Sequence, residues 1–171
     1  MKLSQSSPLQ KLLDTLPQQG TVCWIGVRPK RKAAIQTLTQ TEAITQQGIT
    51  GDHYAGTLGS KRQVTLIQQE HLDAIASVMR IQPLSPELLR RNIVTKGINL
   101  LALKDKTFWV EDALLEYTGE CHPCSRMEEN LGPGGYNAVR GHGGITARIL
   151  QGGPIKIGST IRVADKLAGK Q

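Results

Sequence analysis

Apolar residues in the opening stretch "SSPLQKLLDTLP" recur at Leu9, Leu12, Leu13 and Leu16, which is helical spacing. Ser7 and Pro8 supply a helix start and Pro17 a stop. The pattern then changes period. In "TVCWIGV", Val22, Trp24 and Gly26 alternate with Cys23, Ile25 and Val27, which predicts a strand and makes Cys23 a strand or core residue. "RQVTLIQ" at 62–68 reads as a second strand, and "QEHLDAIASVMR" after it as a helix with an apolar stripe of Leu72, Ile75, Ala76 and Met79. "LSPELLRRNIVTKG" predicts a helix feeding a strand. The short runs "TFWV", "ALLEYT", "IKIG" and "TIRV" are strands, the last two joined as a hairpin through Gly158 and Ser159.

Strands outnumber helices and do not alternate with them as βαβ units would. The predicted fold class is therefore mainly β, a β-barrel-like mixed sheet with a few peripheral helices. The chain divides into a helical extension at 1–20, one main domain at 21–165 and a tail at 166–171. Glycines gather in "NLGPGGYNAVRGHGGI", where the backbone must turn tightly or approach something closely.

At 171 residues and 39% hydrophobic content the chain can bury one core. No apolar run is long enough to span a bilayer and the start lacks a secretory pattern, so the expected location is cytoplasmic, without a membrane partner. The formal charge of +7 attracts anions: nucleic acid, an acidic membrane face or a phosphorylated small molecule. Few aromatic residues (Trp 2, Tyr 3, Phe 1) and scattered basic ones argue against nucleic acid. The one basic run, "RPKRK" at 28–32, reads as a solvated loop.

Three cysteines in such a chain point to reduced thiols rather than a disulfide framework. "GECHPCSRMEE" pairs Cys121 with Cys124. The pair can be half a zinc site completed by His122, His142 or Cys23, although no second C-x-x-C is present. It can be a redox dithiol at a helix start. Or one thiolate works alone, its pKa lowered by neighbours such as Arg126 and His122 beside Cys124, and suited to a soft metal centre. Physics alone leaves Cys121 and Cys124 both open.

Five blocks in order resemble the MOSC domain family, named for the C-terminal domain of molybdenum cofactor sulfurases, in a small stand-alone form. They are "GITGDHYAG", "RQVTLIQQEHLDAI", "LLRRNIVTKGINL", "TGECHPCSRMEE" and "GHGGITARILQGGPIKIGSTIRV". The resemblance implies a barrel-like fold that holds the pterin-based molybdenum cofactor (molybdopterin), with a cysteine that ligates the metal or carries sulfur. Its "PC" element falls on Cys124, which becomes the implied metal ligand and catalytic residue. One departure matters: if "CSRM" is aligned with the "CSRC" of larger relatives that reduce N-hydroxylated compounds, the ligand position falls on Met127. The implied cofactor contacts are Asp52 for pterin N–H groups and Arg62, Arg90, Arg91, Asn92 and Arg148 for phosphate or pterin. Arg126 beside the thiol and Gly143 in the glycine cluster complete the set. His53 and His142 receive no role.

The implied activity is reduction of an N-hydroxylated small-molecule substrate. No iron–sulfur cysteine set or nucleotide fingerprint is present, so electrons would come from a separate donor protein. Two alternatives stand beside it. One is a carrier that delivers the cofactor, or a Cys124 persulfide, to a molybdoenzyme partner. The other is a structural zinc or nucleic-acid-binding domain.

Overall fold

The computed structural model describes residues 7–54 and 56–165. In chain order these form α1 (Pro8–Asp14), β1 (Gly20–Val27), β2 (Gln36–Leu38), β3 (Gln40–Ile44), β4 (Gly48–Ile49), β5 (Val64–Gln68) and α2 (Gln69–Met79). A short 3-10 helix (Pro86–Leu89) leads into β6 (Ile93–Lys96), and another (Leu100–Leu103) into β7 (Thr107–Val110) and β8 (Ala113–Glu120). Then come α3 (Ser125–Leu131), α4 (Gly135–Val139), β9 (Ile145–Gln151), β10 (Gly153–Lys156) and β11 (Thr160–Val163).

Seven strands close on themselves in the order β1–β6–β5–β9–β8–β7–β11 and back to β1. Six of the seven pairings are antiparallel; β5 and β6 run parallel, as a connection carrying α2 permits. The expected mainly β barrel is therefore the fold. β2 lies along the far half of β1, and β10, β3 and β4 form a separate three-stranded sheet.

Alternation fills the barrel with Ile25, Leu66, Ile93, Phe108, Leu115, Ile145, Ala147 and Ile161, all completely buried. β1 departs from strict alternation. Val22 pairs with Thr95 and Trp24 with Val94, so Cys23 is an extra residue in a bulge. The bulge resets the face: Val22 and Ile25 both point into the barrel, while Cys23 and Trp24 pack on the outside. A second apolar layer forms there because the parallel strands must be covered on both faces. Ile67 and Val94 on the outer face meet Leu72 and Ile75 of α2, Leu89, Met127 and Leu131 of α3, and Val139 of α4.

Two sequence expectations change. The "IKIG"/"TIRV" hairpin does not form: Ser159 closes a turn on Lys156, but β10 then pairs with β3 and β11 with β7 and β1. The N-terminal helix forms with Ser7 as its cap, yet Leu9, Leu12 and Leu13 stay exposed and only Leu16 packs on the barrel. The tail expected at 166–171 lies outside the described residues.

Asn92, at the entry to β6, ties three strands together. Its Oδ1 accepts from the Thr65 amide and hydroxyl, each at 3.0 Å, and its Nδ2 donates to the Gly26 carbonyl at 3.3 Å. Asn92→Ala leaves those buried partners unmatched, and urea denaturation should show a loss of about 2–4 kcal/mol. An unchanged midpoint would mean that water replaces the amide without cost.

Candidate functional site: a thiol beside a basic cleft

Strand register brings the chemistry-bearing segments within reach of each other. Glu120 lies opposite Ile145, Ile145 opposite Leu66, Leu66 opposite Ile93, and Ile93 opposite Ile25. The segments flanking this belt carry Cys121, Gly143–Gly144, Arg91–Asn92 and Arg28. Arg91 links them. Its guanidinium donates to the carbonyls of Gly143 at 2.8 Å, Leu89 at 2.6 Å and Cys121 at 3.4 Å, and the residue is 6% exposed. Burial pulls the Arg91 pKa below its ordinary value, and the charge of Cys121 opposes that.

The glycines of "GHGGI" are set by this packing. A Cβ on Gly143 would come within 2.0 Å of the Cys121 carbonyl oxygen, and one on Gly144 within 2.0 Å of the Leu66 carbonyl, at a φ of +84°. Gly143 thus presents its carbonyl to Arg91.

The two cysteines of the pair occupy different surroundings. Cys121 is buried: its N–H donates to the Gly144 carbonyl, and its Sγ lies 3.2 Å from a guanidinium nitrogen of Arg62. Cys124 is exposed at the residue preceding α3. Met127, one turn on, is 1% exposed in the outer apolar layer, so it packs rather than faces a ligand. α3 is anchored on both sides. Asn130 donates to the Leu88 carbonyl, and Glu128 accepts the amides of Gly134 and Tyr136, which pull its pKa below the ordinary value. The third thiol, Cys23, donates to the Val94 carbonyl, and burial raises its pKa. Among the described residues no three His, Cys, Asp or Glu side chains gather as a structural zinc site requires.

Next to the Cys124 helix opens a cleft of about 240 Å³. Arg126 of α3, Arg90 before β6, His53 after β4, and Arg28, Lys30, Arg31 and Lys32 of the loop after β1 line it. Arg90 ends its 3-10 helix in the left-handed conformation. Asp52 fixes the two loops: its carboxylate accepts the Arg28 amide at 2.8 Å, and the His53 amide donates to the Arg28 carbonyl. The "RPKRK" run is solvent-exposed at 29–32, as expected, and is also a wall of the cleft, a place that sequence reading missed for it and for His53. The available signal was four cations in five residues directly after a strand, with no acid among them. A larger hollow of about 450 Å³ lies against the three-stranded sheet, but its lining, which includes Leu38, Glu42, Thr50 and Lys156, holds no thiol, histidine or arginine.

Of the expected site residues, Arg90 and Arg126 meet in the cleft, Asp52 braces it, and Arg62, Arg91 and Gly143 surround Cys121. Asn92 sits behind them with its amide occupied. Arg148 stands apart from the cleft lining, paired across β8 and β9 with Glu116. His142 lies edge-on to His71, ring centroids 5.1 Å apart, with its Nδ1 against the Arg140 carbonyl.

The chain is thus a closed mixed barrel with an exposed thiol at the start of the helix whose Arg126 lines a cationic cleft. The profile of the MOSC domain family matches residues 26–162, and the chain belongs to that family. Its fold resembles the crystal structure of the YuaD protein from Bacillus subtilis, with a TM-score of 0.73 at 20% identity over 87% of this chain and 98% of that one. It also resembles YiiM from Geobacillus stearothermophilus (TM-score 0.67, 17% identity, 88% and 77% covered). YiiM from Escherichia coli is similar too (TM-score 0.65, 15% identity, 87% and 72% covered). No curated protein matches the chain in sequence. No helix among the described residues is long and apolar enough to cross a membrane.

Two measurements check this geometry. Brief alkylation with iodoacetamide at neutral pH, read by peptide mass spectrometry, should label Cys124 well before Cys121 or Cys23; preferential labelling of Cys121 would show the loop in another register. Burial and the neighbouring His142 lower the His71 pKa below its ordinary 6.5, against Glu70. Folding then disfavours the protonated ring, so the stabilisation is full above pH 6.5 and is lost as pH falls through the lower folded-state value. Thermal midpoints should drop over that range in the wild type, and less in His71→Gln.

Proposed function

We propose that this MOSC protein binds the molybdenum cofactor with the Cys124 thiolate as metal ligand and reduces N-hydroxylated compounds. The observation that carries the reading is the position of the exposed thiol: it opens the helix whose Arg126 lines the basic cleft. A thiolate is the soft ligand such a metal takes. The residues fit the group in charge as well, since the cofactor ends in a phosphate and Arg90 and Arg126 meet in a cleft of opposite sign.

In this reading Arg90 and Arg126 hold the phosphate. Asp52, Arg62, Arg91, Asn92 and Gly143 keep the two loops and the Cys121 turn in place behind it, while Arg148 stays with the barrel wall. When bound, the cofactor supplies the two electrons that, with two protons, convert N–OH to N–H and water. The chain's own share is to ligate, to orient the substrate and to fix the surroundings that tune the metal. A separate protein supplies the electrons.

The test begins with protein purified from cells that make the cofactor. Molybdenum and oxidised pterin should be present in near-equal amounts, and hydroxylamine should be reduced with an artificial donor. Cys124→Ala should lose the metal and at least a hundredfold in activity, as loss of a metal ligand does, whereas Cys121→Ala should keep part of both. Zinc without pterin would overturn the reading. The solvent-facing position of Cys124 also favours the carrier alternative, in which another protein collects a persulfide sulfur from it. An added mass of about 32 Da on Cys124, without turnover, would decide for the carrier.

A further inference from the structure

The cleft holds more positive charge than one phosphate can neutralise. Six arginine and lysine side chains and His53 surround it. A terminal phosphate carries a charge of about −1.5 to −2, which Arg90 and Arg126 already balance. Arg28, Lys30, Arg31 and Lys32 are left over, four cations within five residues. Among the described residues the ion pair found is Arg148 with Glu116, so no carboxylate within ion-pair distance relieves the loop. Asp52, the nearest acid in its hydrogen-bonding, holds the Arg28 backbone amide.

The loop is nonetheless built, not loose. Arg28 is bonded to Asp52 and His53, the Ala33 amide closes a turn on the Lys30 carbonyl at 3.1 Å, and Lys32 sits at a φ of +63°, a conformation that lysine rarely adopts. Repulsion among ordered like charges disfavours such a loop unless an anion offsets it. Residues 29–32 are exposed along its length, apart from their contact with the cleft, which suits a ligand that comes and goes. No Phe, Tyr or Trp side chain lines the cleft to stack bases as single-stranded nucleic acid requires.

We propose that the 28–32 loop is a diphosphate-binding subsite, separate from the seat of the cofactor's phosphate, and that its ligand is a substrate carrying a diphosphate group. The subsite stands on the loop's own charge; the assignment of its ligand as substrate rests on the reductase reading above. Under that reading the protein acts on N-hydroxylated substrates that carry a diphosphate in preference to those that lack one, the phosphates being held by Lys30, Arg31 and Lys32.

The purified protein, with whatever cofactor it carries, is titrated calorimetrically with ADP, pyrophosphate, orthophosphate, adenosine and an RNA oligonucleotide at low and moderate salt. ADP and pyrophosphate should bind and weaken as salt rises, orthophosphate should bind at least tenfold more weakly, and adenosine should not bind. The Lys30→Ala/Arg31→Ala variant should lose at least tenfold in ADP affinity with molybdenum and pterin content unchanged. Orthophosphate binding as well as pyrophosphate, absence of ADP binding, or RNA binding more tightly than ADP would each overturn the subsite. Loss of pterin along with ADP binding would overturn it too, because the loop would then serve the cofactor, including any nucleotide attached to it. If wild-type protein binds ADP but never holds molybdenum or pterin, the reductase reading fails and the subsite stands. With the reductase active, a KM for N-hydroxyadenine no higher than for its nucleoside diphosphate would overturn the substrate assignment.

Discussion

A buried guanidinium is the constraint on which the site's architecture depends. Placing Arg91 at 6% exposure removes most of its hydration, a loss that only close polar partners can offset. Those partners are backbone carbonyls: that of Leu89, two residues back, and those of Cys121 and Gly143, from two segments distant in sequence. A carboxylate could have satisfied the charge with one residue. Carbonyls do so only if two further loops come to the arginine's own, and so the arginine fixes the loops. Gly143 then has no room for a side chain, because the Cys121 carbonyl shares the same guanidinium and passes within contact of its Cα.

The barrel supplies the frame for that clamp through two irregularities in its strands. The bulge at Cys23 turns Trp24 and Cys23 outward, where they join the layer that seats α2, α3 and α4. The bulge between Tyr117 and Gly119 adds Thr118 to β8; its hydroxyl meets that of Thr146, and the strand then reaches Cys121 opposite the start of β9. Without outward packing α3 would have no apolar seat for Met127 and Leu131, and Cys124 would have no fixed position relative to the cleft.

Much of the frame was legible in the sequence because its strands are apolar and short helices flank them. β1, β5, α2, β6, β7, β8 and β11 all fall on runs that periodicity finds. β3, with exposed Gln40 and Glu42 alternating with buried Thr41 and Ala43, is too polar to stand out, and β9 hides behind a glycine cluster. The hairpin at Gly158–Ser159 failed for a different reason: adjacent strands joined by a good turn still belong to whichever sheet closes the barrel. At the site, the cysteine pair and Arg90, Arg91 and Arg126 were visible as residue types. The cleft was not, since it depends on the Asp52–Arg28 bond that sets the charged run, still exposed at 29–32, beside Arg90 and Arg126.

The divided surroundings of the cysteine pair follow from the same clamp. Cys121 is held at its amide by Gly144, at its carbonyl by Arg91 and at its sulfur by Arg62. Three residues later the chain enters α3, whose buried stripe begins at Met127, not at Cys124. The helix therefore takes its apolar anchor from Met127 and leaves the thiol in front of it uncovered. A sulfur at position 127 would have to leave the outer core to meet a ligand, whereas one at 124 already faces outward. Packing thus gives the sulfurs at 121, 124 and 127 different surroundings: two are buried and the one at 124 is exposed.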